Sequence, residues 1–188
     1  MFKNPPLEAL RAGNQAYLAA RANPGDISPE VRRETAAHGQ HPFAAVVTCA
    51  DSRVVPEHIF SAGLGALFVV RTAGNVVADF ERGSLEYAVS HLGVPLILVM
   101  GHTHCGAVGA ALETSRGEHV PPSLGALVEE IRGALRGETE EAAAVRANVE
   151  HSVLRVLESA ELREFERAGR LEVARAVYDI ETGEVHFF

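Results

Sequence analysis

The chain alternates short aliphatic runs with stretches of helical periodicity, and that alternation restricts the fold more than any other feature. Residues 43–48 (Phe-Ala-Ala-Val-Val-Thr) and 95–100 (Pro-Leu-Ile-Leu-Val-Met) are almost wholly apolar. Runs of this length, rich in branched aliphatics, read as strands buried on both faces, as in parallel sheets. Residues 66–71 and 173–180 supply two more strands. A tight turn at 181–184 returns residues 185–188 as an antiparallel edge strand.

The intervening segments read as helices. After Pro5 and Pro6, residues 7–18 place Leu7, Leu10, Tyr17 and Leu18 near one face. A turn is expected at 23–26. Ser28 caps a second helix, with Pro29 at its first position, ending near Gly39. Residues 56–60 form one helical turn. Asp79 is expected to cap a helix through about His91 that buries Leu85, Ala88, Val89 and Leu92, with Gly93 closing it. Another helix covers 106–112. The chain breaks at 120–123, where Ser123 is expected to cap a helix to about Arg136. A longer one is expected from Thr139 towards Arg167, striped by Val145, Val149, Val153, Val156 and Leu157 and ended by Gly169.

The expected architecture is one three-layer α/β domain over residues 1–188, with helices on both faces. Its sheet is mostly parallel and four-stranded, plus the antiparallel C-terminal edge strand. Residues 1–39 form an N-terminal helical arm for dimerisation and 40–188 the core; the arm has two candidate homes, a second subunit or its own sheet. No internal repeat, low-complexity segment or interdomain linker interrupts the chain.

Composition narrows the function. The formal net charge of −8 opposes nucleic acid and anionic membranes as partners, which need clustered Lys and Arg. No apolar run approaches the roughly 20 residues of a membrane span. The first residues lack the apolar core of a signal peptide, so cytoplasmic residence is expected. In that compartment two cysteines are metal ligands or buried thiols rather than a disulfide. Gly63-Leu64-Gly65 precedes a strand and lacks a third Gly, so it is no dinucleotide fingerprint.

The two cysteines fall at the carboxyl ends of two apolar runs, in Cys49-Ala50-Asp51-Ser52-Arg53 and His102-Thr103-His104-Cys105-Gly106. Ligands in open α/β sheets bind beyond such ends, where strand order reverses. If the two strands are neighbours, two thiolates and one imidazole make a three-ligand zinc site with a fourth position open. Spacing alone leaves the histidine ambiguous. His102, three residues before Cys105, closes a compact chelate and is preferred over the adjacent His104. Cys49, Asp51 and Arg53, spaced by two, point to one side of an extended segment. Arg53 keeps Asp51 ionised, and Asp51 can orient a zinc-bound hydroxide. Two thiolates neutralise the zinc charge, so bound water is less acidic than at an all-histidine site and activity should rise towards alkaline pH.

Cys-x-Asp-x-Arg at Cys49, Asp51 and Arg53, with Gly101-His102-x-x-Cys105-Gly106, resembles the two signatures of β-class carbonic anhydrases. The stretches at 68–75 and 86–88 fit as well, and the likeness runs from about Leu7 to Ile180. The resemblance implies one Zn2+ per chain and reversible hydration of CO2 to bicarbonate. It implies a homodimer embraced by its N-terminal helices, sometimes paired into tetramers or more. Cys49, His102 and Cys105 match the metal ligands, and Asp51 and Arg53 the catalytic dyad. Gln40 matches a substrate-binding glutamine, in some members across the dimer interface. Phe68, Ala73 and Tyr87 fall where the family lines its apolar CO2 pocket, Ala73 being smaller than the usual aliphatic. The Gly106 amide can also contact substrate. Asp51 becomes a metal ligand only where the site closes. Members that close through bicarbonate carry a Trp and a Gly where this chain has Val46 and Thr48, which favours the open state. Hydrolysis of CS2 or COS on the same zinc, and a non-catalytic zinc or bicarbonate module, are the alternatives. The proton shuttle stays open among His38, His41, His58 and His104.

Overall fold

A computed structural model describes residues 5–20, 25–115 and 121–188. Residues 23–24 of the expected 23–26 turn, Val120 of the expected 120–123 break and the first four residues lie outside the described residues. Five strands form one sheet: β1 (Ala44–Cys49), β2 (Leu67–Thr72), β3 (Leu96–His102), β4 (Glu172–Tyr178) and β5 (Val185–Phe187). Their order is β2-β1-β3-β4-β5. The first four are parallel and β5 pairs antiparallel with β4, as the aliphatic runs require.

Eight helices accompany them among the described residues: α1 (Pro6–Ala19), α2 (Pro29–His38), α3 (Pro56–Ile59), α4 (Asp79–Ser90), α5 (Gly106–Ser115), α6 (Gly125–Leu135), α7 (Glu141–Val156) and α8 (Ala160–Arg167). No helix among the described residues is long and apolar enough to cross a membrane. Alternation along β1 divides the core into two layers. Ala45 and Val47 pack with Leu85, Val89, Val149, Val153 and Leu162 from α4, α7 and α8. Ala44 and Val46 face Leu10 from α1, Ile59 from α3 and Phe60 just beyond it. Each such side chain, fully buried, is worth about 1.5–3 kcal/mol for the larger aliphatics.

Of the two homes open to the N-terminal helices, α1 takes its own sheet. Asn14 Nδ2 donates to Gly183 O (2.9 Å) and Asn14 Oδ1 accepts from Val185 N (3.0 Å). Tyr17 and Tyr178 hydroxyls meet at 3.2 Å. Gly13 is required by this docking, since a Cβ there would lie 2.0 Å from the Phe60 carbonyl oxygen. By contrast α2 buries none of its residues in this chain.

Three helix expectations need correction. The long helix from Thr139 towards Arg167 is two helices. α7 ends at Val156 and Ser159 Oγ accepts Leu162 N (3.1 Å), starting α8. The bend lets Leu162, wholly buried, reach the α4 layer, which a straight continuation would carry past the sheet. Asp79 is the first helical residue of α4 rather than its cap; Ala78 occupies the cap, and its amide donates to Glu81 Oε2 (3.0 Å). Ser123 lies within a 3-10 turn, and α6 starts after Leu124 without a side-chain cap.

Candidate metal centre

β1 lies between β2 and β3, so the chain leaves it to one side and later returns on the other. That is a topological switch point, and the carboxyl ends of β1 and β3 form its crevice. Pairing of Thr48 with Met100 sets the two ends level. Thr48 Oγ1 also donates to Met100 O at 2.8 Å. Cys49 ends β1, His102 ends β3, and Cys105 precedes α5. Their ligand atoms lie within 4.8 Å of one another, and all three residues are buried.

The donors are prepared for a cation. His102 Nδ1 stands 2.8 Å from Thr103 O. A carbonyl only accepts, so Nδ1 carries the proton and Nε2 presents a bare lone pair. That Nε2 is buried without a hydrogen-bond partner, the state a metal ligand has before its metal. Cys49 Sγ accepts amides from Gly74 (3.3 Å) and Asp51 (3.4 Å). The Cys49 thiol is pulled well below its ordinary value, chiefly by a hydrogen bond from the Cys105 thiol and against the effect of burial, with the His102 ring and then those two amides adding. Cys105 keeps the shared proton and is pushed up by that bond and by burial. Two sulfurs and one imidazole are the donor set zinc prefers.

Beside the sulfurs, Asp51 and Arg53 form a two-pronged pair. Arg53 Nε donates to Asp51 Oδ1 (3.0 Å) and Nη2 to Oδ2 (2.7 Å). The Arg53 amide adds a third bond to Oδ1 (2.9 Å). These bonds, the guanidinium's first, hold the Asp51 carboxyl well below the usual carboxylate range. The Asp51 side chain is 19% exposed and that of Arg53 54%, so the pair opens to solvent. Arg53 Nη2 also reaches His104 O at 3.3 Å.

The other expected site residues lie nearer the surface. Gln40 is exposed between α2 and β1, Ala73 and Gly106 are exposed, and Phe68 is half-buried. Tyr87, 46% exposed, lies 6.4 Å from Phe68 between ring centres and stacks on His91 at 5.2 Å.

Several residues that build the site escaped sequence reasoning. Arg71 donates through Nε to Cys49 O (3.1 Å) and through Nη2 to Asp51 O (2.6 Å), pinning the backbone on both sides of Ala50. From α7, Asn148 Nδ2 donates to Gly74 O (2.7 Å) and Ser152 Oγ to Asn75 O (2.9 Å). These fix the Ala73–Asn75 turn, whose Gly74 amide serves Cys49. Gly74 has φ +66°, and a Cβ there would lie 2.6 Å from Ile131 Cδ1. The available signals were an arginine closing an aliphatic strand, and two polar residues four apart within the buried stripe of α7.

Fold and donor set together define an α/β metalloprotein with its site at the switch point. The chain matches the carbonic anhydrase family model over residues 44–185. It belongs to the β-carbonic anhydrase family, whose members use zinc. Carbonic anhydrase 2 of Mycobacterium tuberculosis is 52% identical over 105 residues, 56% of this chain and 50% of the relative. The match thus spans half the length of that relative. A carbonic anhydrase of Pseudomonas aeruginosa is 38% identical over 161 residues, covering 78% of this chain and 73% of its own. The solved Coccomyxa β-carbonic anhydrase, in complex with acetazolamide, is 30% identical with a TM-score of 0.74, over 98% of this chain and 85% of that one.

Proposed function

We propose that the protein is a zinc-dependent carbonic anhydrase, hydrating CO2 reversibly to bicarbonate and a proton. One observation carries this reading: Cys49, His102 and Cys105 converge beside an ionised Asp51 held by Arg53. Cys49, His102 and Cys105 would hold the zinc, which when bound supplies a Lewis acid that raises the acidity of a water at its open position.

The chain's own groups then orient the reaction. Asp51 Oδ1 already accepts two donors from Arg53, whereas Oδ2 accepts one. Oδ2 therefore retains acceptor capacity for the O–H of the attacking water. Accepting that bond turns the water's lone pair towards CO2. Arg53 keeps the carboxylate ionised, so it accepts a hydrogen bond and does not compete as a donor. The same pairing supports the open state in preference to Asp51 acting as a ligand. Phe68, Ala73 and Tyr87 form the apolar wall, and Gln40 and the Gly106 amide contact the oxygens of substrate.

The working unit is a homodimer in the cytoplasm. β2 is the outer strand of the sheet, and an unpaired edge invites cover. Next to it α4 leaves Phe80 89% exposed and Tyr87 half-exposed one face along. A second copy would cover this surface and shield the solvent-open dyad. Stopped-flow CO2 hydration near pH 8.5, on protein with about one zinc per chain, tests the reading. Turnover supports it. Full zinc without hydration points to a binding module, and CS2 turnover without CO2 turnover to the hydrolase.

A further inference from the structure

The turn that joins His102 to Cys105 is tied to the first residue of α7. His104 sits at its tip with φ +56°, a left-handed conformation that a side chain with a Cβ rarely adopts. Such a conformation, at a cost of order 1–3 kcal/mol, persists only where the surroundings hold it. The holding contact is identifiable: Glu141 Oε1, on the first residue of α7, accepts the His104 amide at 2.7 Å. The same oxygen is 3.5 Å from His104 Nδ1, too far for a good hydrogen bond. The backbone tie, not the imidazole, is therefore the dominant contact. A carboxylate accepting an amide is among the stronger hydrogen bonds.

The orientation of the turn has a consequence across the crevice. With His104 so turned, its carbonyl oxygen faces Arg53 and accepts Nη2 at 3.3 Å. That is the nitrogen that donates to Asp51 Oδ2 at 2.7 Å. A continuous path of hydrogen bonds thus runs from Glu141 through the peptide units of His104 to Arg53 and Asp51. Arg53 is otherwise half in solvent, where an ion pair spends much of its time broken. The His104 carbonyl is the one contact from β3 onward that fixes its guanidinium among the described residues.

We propose that Glu141 is a positioning residue for the Asp51–Arg53 pair, acting through the left-handed His104 turn. This rests on the carbonic anhydrase reading for its kinetic consequence but not for its structural one. Glu141 is not one of the candidate metal ligands, and its side chain is 45% exposed, so truncating it leaves the core intact.

The experiment compares Glu141→Ala with Glu141→Gln in zinc-loaded protein. Glu141→Ala should lower kcat about tenfold with KM and zinc content unchanged, a loss of orientation and not of binding. Glu141→Gln keeps an acceptor oxygen and should recover most of that loss. In an Arg53→Ala background, Glu141→Ala should cost nothing further, since the path it supports is already cut. Backbone amide exchange adds a readout independent of turnover. The His104 amide should be protected in the parent and Glu141→Gln proteins and exchange faster in Glu141→Ala. Parental kcat in Glu141→Ala, an equal loss in both backgrounds, zinc loss that accounts for the drop, or an unprotected His104 amide in the parent would each overturn the proposal. If the parent itself binds zinc and turns over no CO2, the functional reading fails, and amide exchange alone still decides the role of Glu141.

Discussion

Two side chains carry most of the site's consequences, each separable by a single substitution. Cys105 offers a thiolate no neighbour replaces, so Cys105→Ala should drop zinc from about one per chain to near none by metal analysis. Asp51→Asn keeps the volume but loses the carboxylate. It should retain zinc and lower kcat on the order of 10²-fold, the scale on which small misplacements of reacting groups cost rate; parental turnover would remove Asp51 from the mechanism. Asp179 offers a test of acid stability away from the metal. Its Oδ1 accepts the Glu181 and Thr182 amides (2.8 and 3.2 Å), and these bonds hold its carboxyl below the usual carboxylate range. A carboxyl lowered in the folded state contributes stability above its unfolded value, and that stability is lost as pH falls through the folded one. Asp179→Ala should therefore melt below the parent near neutral pH, and the gap should close as pH falls below about 3.9. The residues that the structure brings together at the crevice, Cys49, His102, Cys105, Asp51 and Arg53, stood out because their chemistry is unusual at strand ends. Arg71, Asn148 and Ser152 did not, because each acts on a backbone atom of a distant segment, and nothing local encodes that partner.

The elements show where local pattern and tertiary demand part. Strand limits followed from aliphatic runs, because burial on both faces leaves little choice of composition. Helix limits were less secure. The stripe of α7 continues in register past Val156, so periodicity alone runs α7 and α8 together. Ser159 followed by Glu161 and Leu162 is the overlooked signal: a capping hydroxyl, an acidic first turn and a buried anchor. Ser159→Ala should destabilise the fold by about 1 kcal/mol in urea titration without touching zinc content. An unchanged midpoint would show that Leu162 burial alone sets the break. Gly169 ends α8 as expected, with φ +66° and the Arg170 amide reaching back to Phe165 O at 2.9 Å, a Schellman closure.

At the scale of the molecule, the alternation of strand and helix was enough to give the sheet, its layers and the location of the crevice, since right-handed crossovers leave few arrangements. The assembly was not legible in that way, because an exposed apolar residue reads the same whether solvent or a second copy faces it. Phe80→Glu would place a charge in the proposed interface, and the sedimenting species should halve in mass; an unchanged mass would move the contact elsewhere. The crevice has one more consequence, for how the protein is made. Its two halves leave the ribosome about fifty residues apart, and neither holds three donors alone. A nascent chain therefore cannot capture zinc on Cys49 until β3 has emerged and found β1. Loading waits on the pairing of β1 with β3, and a cell short of zinc would accumulate folded but empty protein.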